Sequence, residues 1–234
     1  MTEIKTVAVF GASGRTGRHF TRMAVERGLS VRAFEPDWTG IEPPDPQALL
    51  AQANLLDGDL RGALKGCDAV VSCIGVGLSA KSAIDPPPLY TEGAVRMIEG
   101  MRANDIRRLV VISASFVEAR DRGPSWFRLA SSVALERIFT QMGEMERILR
   151  AASTDIDWTA VRPGWLMDAP FTGDYTVAPN AIPEGTIRTR HADLAHFMLD
   201  CLMDGTWIHA TPAIARPEEA DASSPARMLR EVAG

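Results

Sequence analysis

Ile4-Lys5-Thr6-Val7-Ala8-Val9-Phe10 runs into Gly11-Ala12-Ser13-Gly14-Arg15-Thr16-Gly17 and continues as helix-compatible sequence from Arg18 to Arg27. A strand, a glycine-rich break and a helix in that order form a phosphate turn. Gly11 allows the tight turn, Gly14 lets the backbone approach a pyrophosphate, and Gly17 lets the helix pack on the strand. Free amides at the helix start then bind the diphosphate. A second strand, Ser30 to Phe34, ends at Glu35, about 20 residues on, where dinucleotide-binding folds place an acidic group for the ribose hydroxyls.

Short apolar runs alternate with helical patterns along the rest of the chain. This implies βαβ units, hence α/β class and a Rossmann-type doubly wound parallel sheet in a single domain. A proline-rich loop (Pro36, Pro43, Pro44, Pro46) leads to a weak strand from Ala48 to Ala53 and a short helix near Asp59 to Leu64. Ala69 to Ile74 is a buried strand ending in Gly75-Val76-Gly77. A loop to Pro88, a helix from about Leu89 to Ala103 and a strand from Arg107 to Ser113 follow. Gly123 to Ala152 holds one or two helices, whose stripe of Leu135, Ile138, Met142, Met145, Ile148 and Leu149 reads as core. Asp157 to Val161 is a strand broken by Arg162-Pro163-Gly164. Short strands near Tyr175 and Ile187, a helix from Asp193 to Met203 and a strand near Trp207 complete a domain over residues 1–215. Residues 216–234 form a polar tail in which Pro225 starts a terminal helix.

The 234 residues are 46% hydrophobic, enough for one large core. A net charge of −5, with Lys5, Lys65 and Lys81 the only lysines, offers no basic field and excludes nucleic acid as a partner. No segment approaches the roughly 20 apolar residues of a membrane span, and Met1 to Lys5 lacks a signal-peptide layout, so the expectation is a cytoplasmic monomer or homodimer. Cys67, Cys73 and Cys201 are odd in number and read as reduced hydrophobes, with Cys73 near enough to a strand end to stand beside a cofactor. No metal-ligand spacing occurs, and no metal is expected.

The glycine turn, Asp68-Ala69-Val70-Val71, Glu92-Gly93-Ala94, Leu109-Val110-Val111-Ile112-Ser113 and Trp158-Thr159-Ala160-Val161-Arg162-Pro163-Gly164 occur in order. In these the chain resembles the atypical short-chain dehydrogenase/reductases of the NAD(P)-binding, NmrA-like type. Thr172 to Val177 and Asp193 to Leu202 are similar to late segments of its flavin-reductase members. The resemblance implies a cofactor, NADH or NADPH, with its diphosphate at Gly11, Ser13, Gly14, Arg15, Thr16 and Gly17. It implies adenine near Asn54 and Leu55, the second ribose near Ile74 and Gly75, and nicotinamide against Pro163, Gly164 and Trp165. A carboxylate at Glu35 favours NADH, whereas Arg15, if it is not simply a surface residue, reaches a 2′-phosphate and favours NADPH.

Typical members of the wider superfamily pair Tyr with Lys four residues on. Here Tyr90 is followed by Ala94, Tyr175 by Pro179, and Met142 stands where NmrA-like relatives often carry lysine. A simple carbonyl needs a proton as hydride arrives. A flavin, quinone or linear tetrapyrrole delocalises the electron pair and needs only proximity and stacking. The expected activity is therefore NAD(P)H-dependent reduction of a small conjugated molecule on an apolar platform of Trp165, Trp126, Phe116 and Phe171. Candidate polar residues are Ser113 and Ser115 at the end of the fifth strand, flanking Ala114, on which the serine of the flavin-reductase members falls. His191 before a helix is another. Arg162 holds a substrate anion or pairs with a carboxylate under the sheet. His196 reads as structural, and His19 and His209 as surface or packing residues. A non-catalytic NAD(P)-binding sensor of NmrA type is the alternative, and an enzyme that tailors one specialised metabolite is a third reading.

Overall fold

The computed structural model describes residues 3–76, 85–118 and 135–224, and Arg227. The first strand, β1 (Thr6–Phe10), divides its side chains by parity: Ala8 and Phe10 enter one core cluster, Val7 and Val9 the other. A strand buried on both faces requires layers on both sides of the sheet. The strands that join it are β2 (Ser30–Glu35), β3 (Leu49–Gln52), β4 (Ala69–Ser72), β5 (Arg108–Ile112) and β6 (Asp157–Pro163). With β8 (Thr176–Pro179) and β10 (Pro212–Ala215) they form one sheet in the order β3-β2-β1-β4-β5-β6-β10-β8. Only the β10–β8 pair is antiparallel. A separate two-stranded sheet pairs β7 (Trp165–Met167) with β9 (Arg188–Arg190).

Two helices, α1 (Arg15–Glu26) and α5 (His191–Asp204), cover one face through Phe20, Ala24, Leu194, Met198 and Leu202. Three cover the other: α2 (Leu60–Ala63), α3 (Thr91–Arg102) and α4 (Glu136–Ala151), through Leu60, Met97, Met101, Met145 and Leu149. Each fully buried side chain of this size contributes about 1.5–3 kcal/mol, so packing on the sheet holds these short helices more than intrinsic propensity does. β1 connects through α1 to β2 on one side and β4 connects through α3 to β5 on the other, so the connections leaving the C-terminal ends of these neighbouring strands run in opposite directions, opening the crevice in which doubly wound sheets bind ligands.

The expected sheet and most of its elements are present, with three differences. No strand forms near Trp207: Trp207 and His209 have φ of 56° and 55°, left-handed conformations that break an extended run, and the strand is β10 instead. β6 runs through Arg162 and Pro163 and breaks only at Gly164, because it gains parallel pairing from β10. α5 starts two residues early, at His191. The segment from Gly123 to Ala134 and the helix expected at Pro225 lie outside the described residues. No helix among the described residues is long and apolar enough to cross a membrane.

Candidate functional site

Gly11 has φ of 72°, and a Cβ there would lie 2.9 Å from the Cys73 carbonyl oxygen; at Gly17 it would lie 2.1 Å from that of Gly11. Neither position admits a side chain, which fixes the turn against the ends of β1 and β4. Gly14 differs: the nearest atom to an added Cβ is Gly11 O at 3.3 Å, and beyond it is cavity space. α1 begins with neither a side-chain cap nor an acidic residue in its first turn. The amides at this helix start have no intrahelical acceptor and carry the positive end of the helix dipole. The cradle therefore fits a diphosphate.

Two cavities meet at this turn. The smaller, about 240 Å³, is lined by Glu35, Asn54, Leu55, Ile74 and Gly75 together with Gly11, Ser13 and Gly14. Glu35 accepts a hydrogen bond from the Ser13 amide at 2.7 Å, so its carboxylate is fastened to the phosphate turn. The larger, about 570 Å³, is lined by Arg15, Thr16, Ser113, Pro163, Gly164, Trp165 and His191. The structure thus gathers these candidates along one crevice, although they are spread over 180 residues. Arg15 is exposed on its rim. Thr16 Oγ1 and His191 Nδ1 are 2.8 Å apart and join the starts of α1 and α5. Buried Asp193 accepts from Thr172 N and Oγ1, both at 2.8 Å, which ties together the two late segments of the sequence and holds the start of α5 at the crevice.

Ser115 and Phe171 need correction, and Arg162 resolves between its two readings. Ser115 is fully buried away from the cavity, and its hydroxyl accepts the Ile182 amide at 2.9 Å. Phe171 packs on His196 at 4.9 Å, outside the crevice, and is 46% exposed. Arg162 takes the second of its two readings: Glu146 and Glu118 hold its guanidinium, which is not available to a substrate anion. Leu135, Ile138 and Met142 are buried in the core as expected, and with Phe139 they also line the larger cavity. Trp126 lies outside the described residues.

Tyr90, Phe116 and Phe139 complete the apolar wall. The Tyr90 hydroxyl accepts the Val76 amide at 3.2 Å, and burial pushes the phenol up to about 12, so it keeps its proton at neutral pH. Cys73 lines both cavities; burial, and next the charge of Glu35, push its thiol far up, leaving it inert as a nucleophile. Sequence reasoning missed Tyr90, Phe139 and the buried Glu146. The only trace of the last is a charge inside the apolar stripe of α4.

A family model described as NAD(P)H-binding matches residues 11–205. A Bacillus subtilis protein named as an uncharacterized sugar epimerase, YhfK, is 28% identical over 177 residues, 74% of this chain and 77% of its own. Among solved structures, a Streptococcus pneumoniae chain provisionally described as an NADH-flavin reductase superposes with a TM-score of 0.71 at 20% identity, covering 91% of this chain and 99% of that one. A Veillonella parvula short-chain dehydrogenase/reductase in complex with NADP gives 0.74 at 14% identity, covering 92% and 95%. At these identities the two structures show a shared fold alone.

Proposed function

Because the chain belongs to the NAD(P)H-binding family, we propose that it is a reductase that passes hydride from the nicotinamide dinucleotide to a planar conjugated ring such as a flavin or quinone. The observation that carries this reading is the larger cavity. Phe116, Phe139, Tyr90, Met142 and Trp165 make an apolar wall beside Pro163 and Gly164, the nicotinamide end implied by the sequence resemblance. The resemblance of the Thr172 and Asp193 segments to biliverdin reductase B supports it. The dinucleotide, when bound, supplies the hydride. In this reading the amides of the phosphate turn hold its diphosphate, Glu35 meets its ribose, and the aromatic wall excludes water and stacks the acceptor.

Among the described residues no lysine stands in the wall of the larger cavity to supply a proton. Lys5 and Lys65 precede β1 and β4 at the opposite end of the sheet, Met142, which lines the cavity, stands where the resemblance implies a lysine in NmrA-like relatives, and Lys81 lies outside the described residues. The Ser113 hydroxyl is bonded to Glu146 at 2.7 Å. A conjugated acceptor tolerates this, since solvent protonates its reduced form later. A sugar epimerase, as the Bacillus relative is named, must deprotonate and reprotonate an alcohol, which this wall does not favour.

Trp165→Ala is expected to slow single-turnover reduction of a flavin or quinone on the order of a hundredfold by misplacing the acceptor. Ser113→Ala and His191→Ala are each expected to cost no more than about tenfold, well short of a lost general acid. A thousandfold loss in either polar variant, with cofactor affinity intact, would reinstate simple carbonyl reduction.

Glu35 makes NADH the preferred cofactor in this account, since its carboxylate accepts from ribose hydroxyls and repels a 2′-phosphate. Glu35→Arg is expected to shift the ratio of dissociation constants toward NADPH by about 1–3 kcal/mol, the scale of a charge-assisted hydrogen bond. Constants for both cofactors within twofold of the parent would remove Glu35 from that role.

A further inference from the structure

Ser113 stands in the wall of the larger cavity with its hydroxyl oxygen 2.7 Å from Glu146 Oε1. That carboxylate is surrounded by donors: Arg162 Nε reaches Oε1 at 2.8 Å, while Arg162 Nη2 and Arg150 Nη2 reach Oε2 at 2.6 and 3.2 Å. A carboxylate gripped at both oxygens by one arginine and touched by another is an acceptor only, so the hydrogen in the serine contact belongs to Ser113. Glu146 is 1% exposed, so its contacts meet little competition from water, and Ser113, also 1% exposed, meets the cavity over a small area only. A hydroxyl has one hydrogen and two lone pairs. With the hydrogen committed to Glu146, Ser113 can offer the cavity lone pairs alone.

We propose that Ser113 is a substrate-binding hydrogen-bond acceptor, held in that polarity by the positioning residues Glu146 and Arg162, and that it selects planar rings bearing an N–H donor over rings bearing only carbonyl oxygens. The inference rests on the ring-reductase reading above and narrows its substrate class. A ring without a donor sets one acceptor against another in an apolar wall, and an unpaired buried polar group is costly. The same polarity removes Ser113 as a proton donor to a substrate carbonyl, where a serine bonded to nothing else would serve.

The test is binding without turnover: the NAD+-loaded protein is titrated with lumiflavin, which carries a ring N–H, and with its 3-methyl derivative, which lacks it. The parent is expected to bind lumiflavin about tenfold more tightly than the methylated ring. In Ser113→Ala the two should bind within twofold of each other, with NAD+ affinity unchanged. Glu146→Gln should also lose the preference. Its amide oxygen is best placed against Arg162 Nη2 and Arg150, which turns the amide nitrogen toward Ser113 and frees the serine hydrogen to face the cavity. A role confined to stability would leave that ratio untouched. Equal affinities in the parent, a preference that survives Ser113→Ala, or a tenfold loss of NAD+ affinity in that variant would each overturn the proposal while leaving the reductase reading standing. If neither ring binds the parent, the reductase reading itself falls, and the proposal with it. Should Glu146→Gln fail to fold, Ser113→Ala decides.

Discussion

Gly14→Glu is expected to abolish measurable binding of both NADH and NADPH while the protein stays folded. The backbone at Gly14 has φ of −66°, which any residue adopts, and an added Cβ meets its nearest neighbour at 3.3 Å, so the turn accepts a side chain with little displacement. Beyond Cβ the chain enters the space assigned to the diphosphate. A carboxylate about 4 Å from one phosphate charge costs about 4 kcal/mol at an effective dielectric of about 20, close to three orders of magnitude in affinity, before any steric term. Calorimetric titration of the folded variant checks it; affinities equal to the parent's would move the phosphate site away from this turn. Gly17 gives the contrasting case. Its Cβ would sit 2.1 Å from a carbonyl oxygen, so Gly17→Ala should damage the fold rather than the binding alone.

Arg162→Met is expected to destabilise the protein by about 3–5 kcal/mol in urea unfolding, the cost of stranding a buried carboxylate by removing its partner. Arg162 and Glu146 are each 1% exposed, and the guanidinium also donates to Glu118 and to the Asn180 carbonyl at 2.7 Å. The Arg150 contact, from a half-exposed side chain, is too weak to replace the lost pair. The double variant Arg162→Met with Glu146→Leu should recover most of the loss, since an apolar pair of similar volume carries no desolvation cost. A single variant within about 1 kcal/mol of the parent would mean that Glu146 gains other partners readily.

The central architecture was legible because it depends on local sequence chemistry. Val7 to Phe10 must be a two-sided buried strand, the glycines that follow must turn, and Glu35 closes the next strand at the spacing that brings it to the Ser13 amide. What escaped depends on tertiary pairing. Ser113 and Ser115 are equivalent as sequence, both small hydroxyls after an apolar strand, yet one lines the cavity and the other is consumed by the Ile182 amide, sixty-seven residues away. The α4 stripe carries no sign that Ile138 and Met142, buried in the core as the spacing predicts, also face the crevice. Trp207 lies in an apolar stretch, but the left-handed backbone there is set by bonds to β6: Thr159 Oγ1 donates to the Trp207 carbonyl at 2.9 Å, and the His209 amide donates to the Trp158 carbonyl at 2.7 Å.

The most direct measurement is a single anaerobic mixing experiment in which NADH-loaded protein meets lumiflavin, menadione or a simple aldehyde, with nicotinamide absorbance followed through one turnover. The account predicts stoichiometric NADH oxidation by lumiflavin, slowed when the transferred hydrogen is replaced by deuterium, and little or none with the aldehyde. Oxidation by the aldehyde alone, or no oxidation by any acceptor from a protein that binds the dinucleotide, would contradict it.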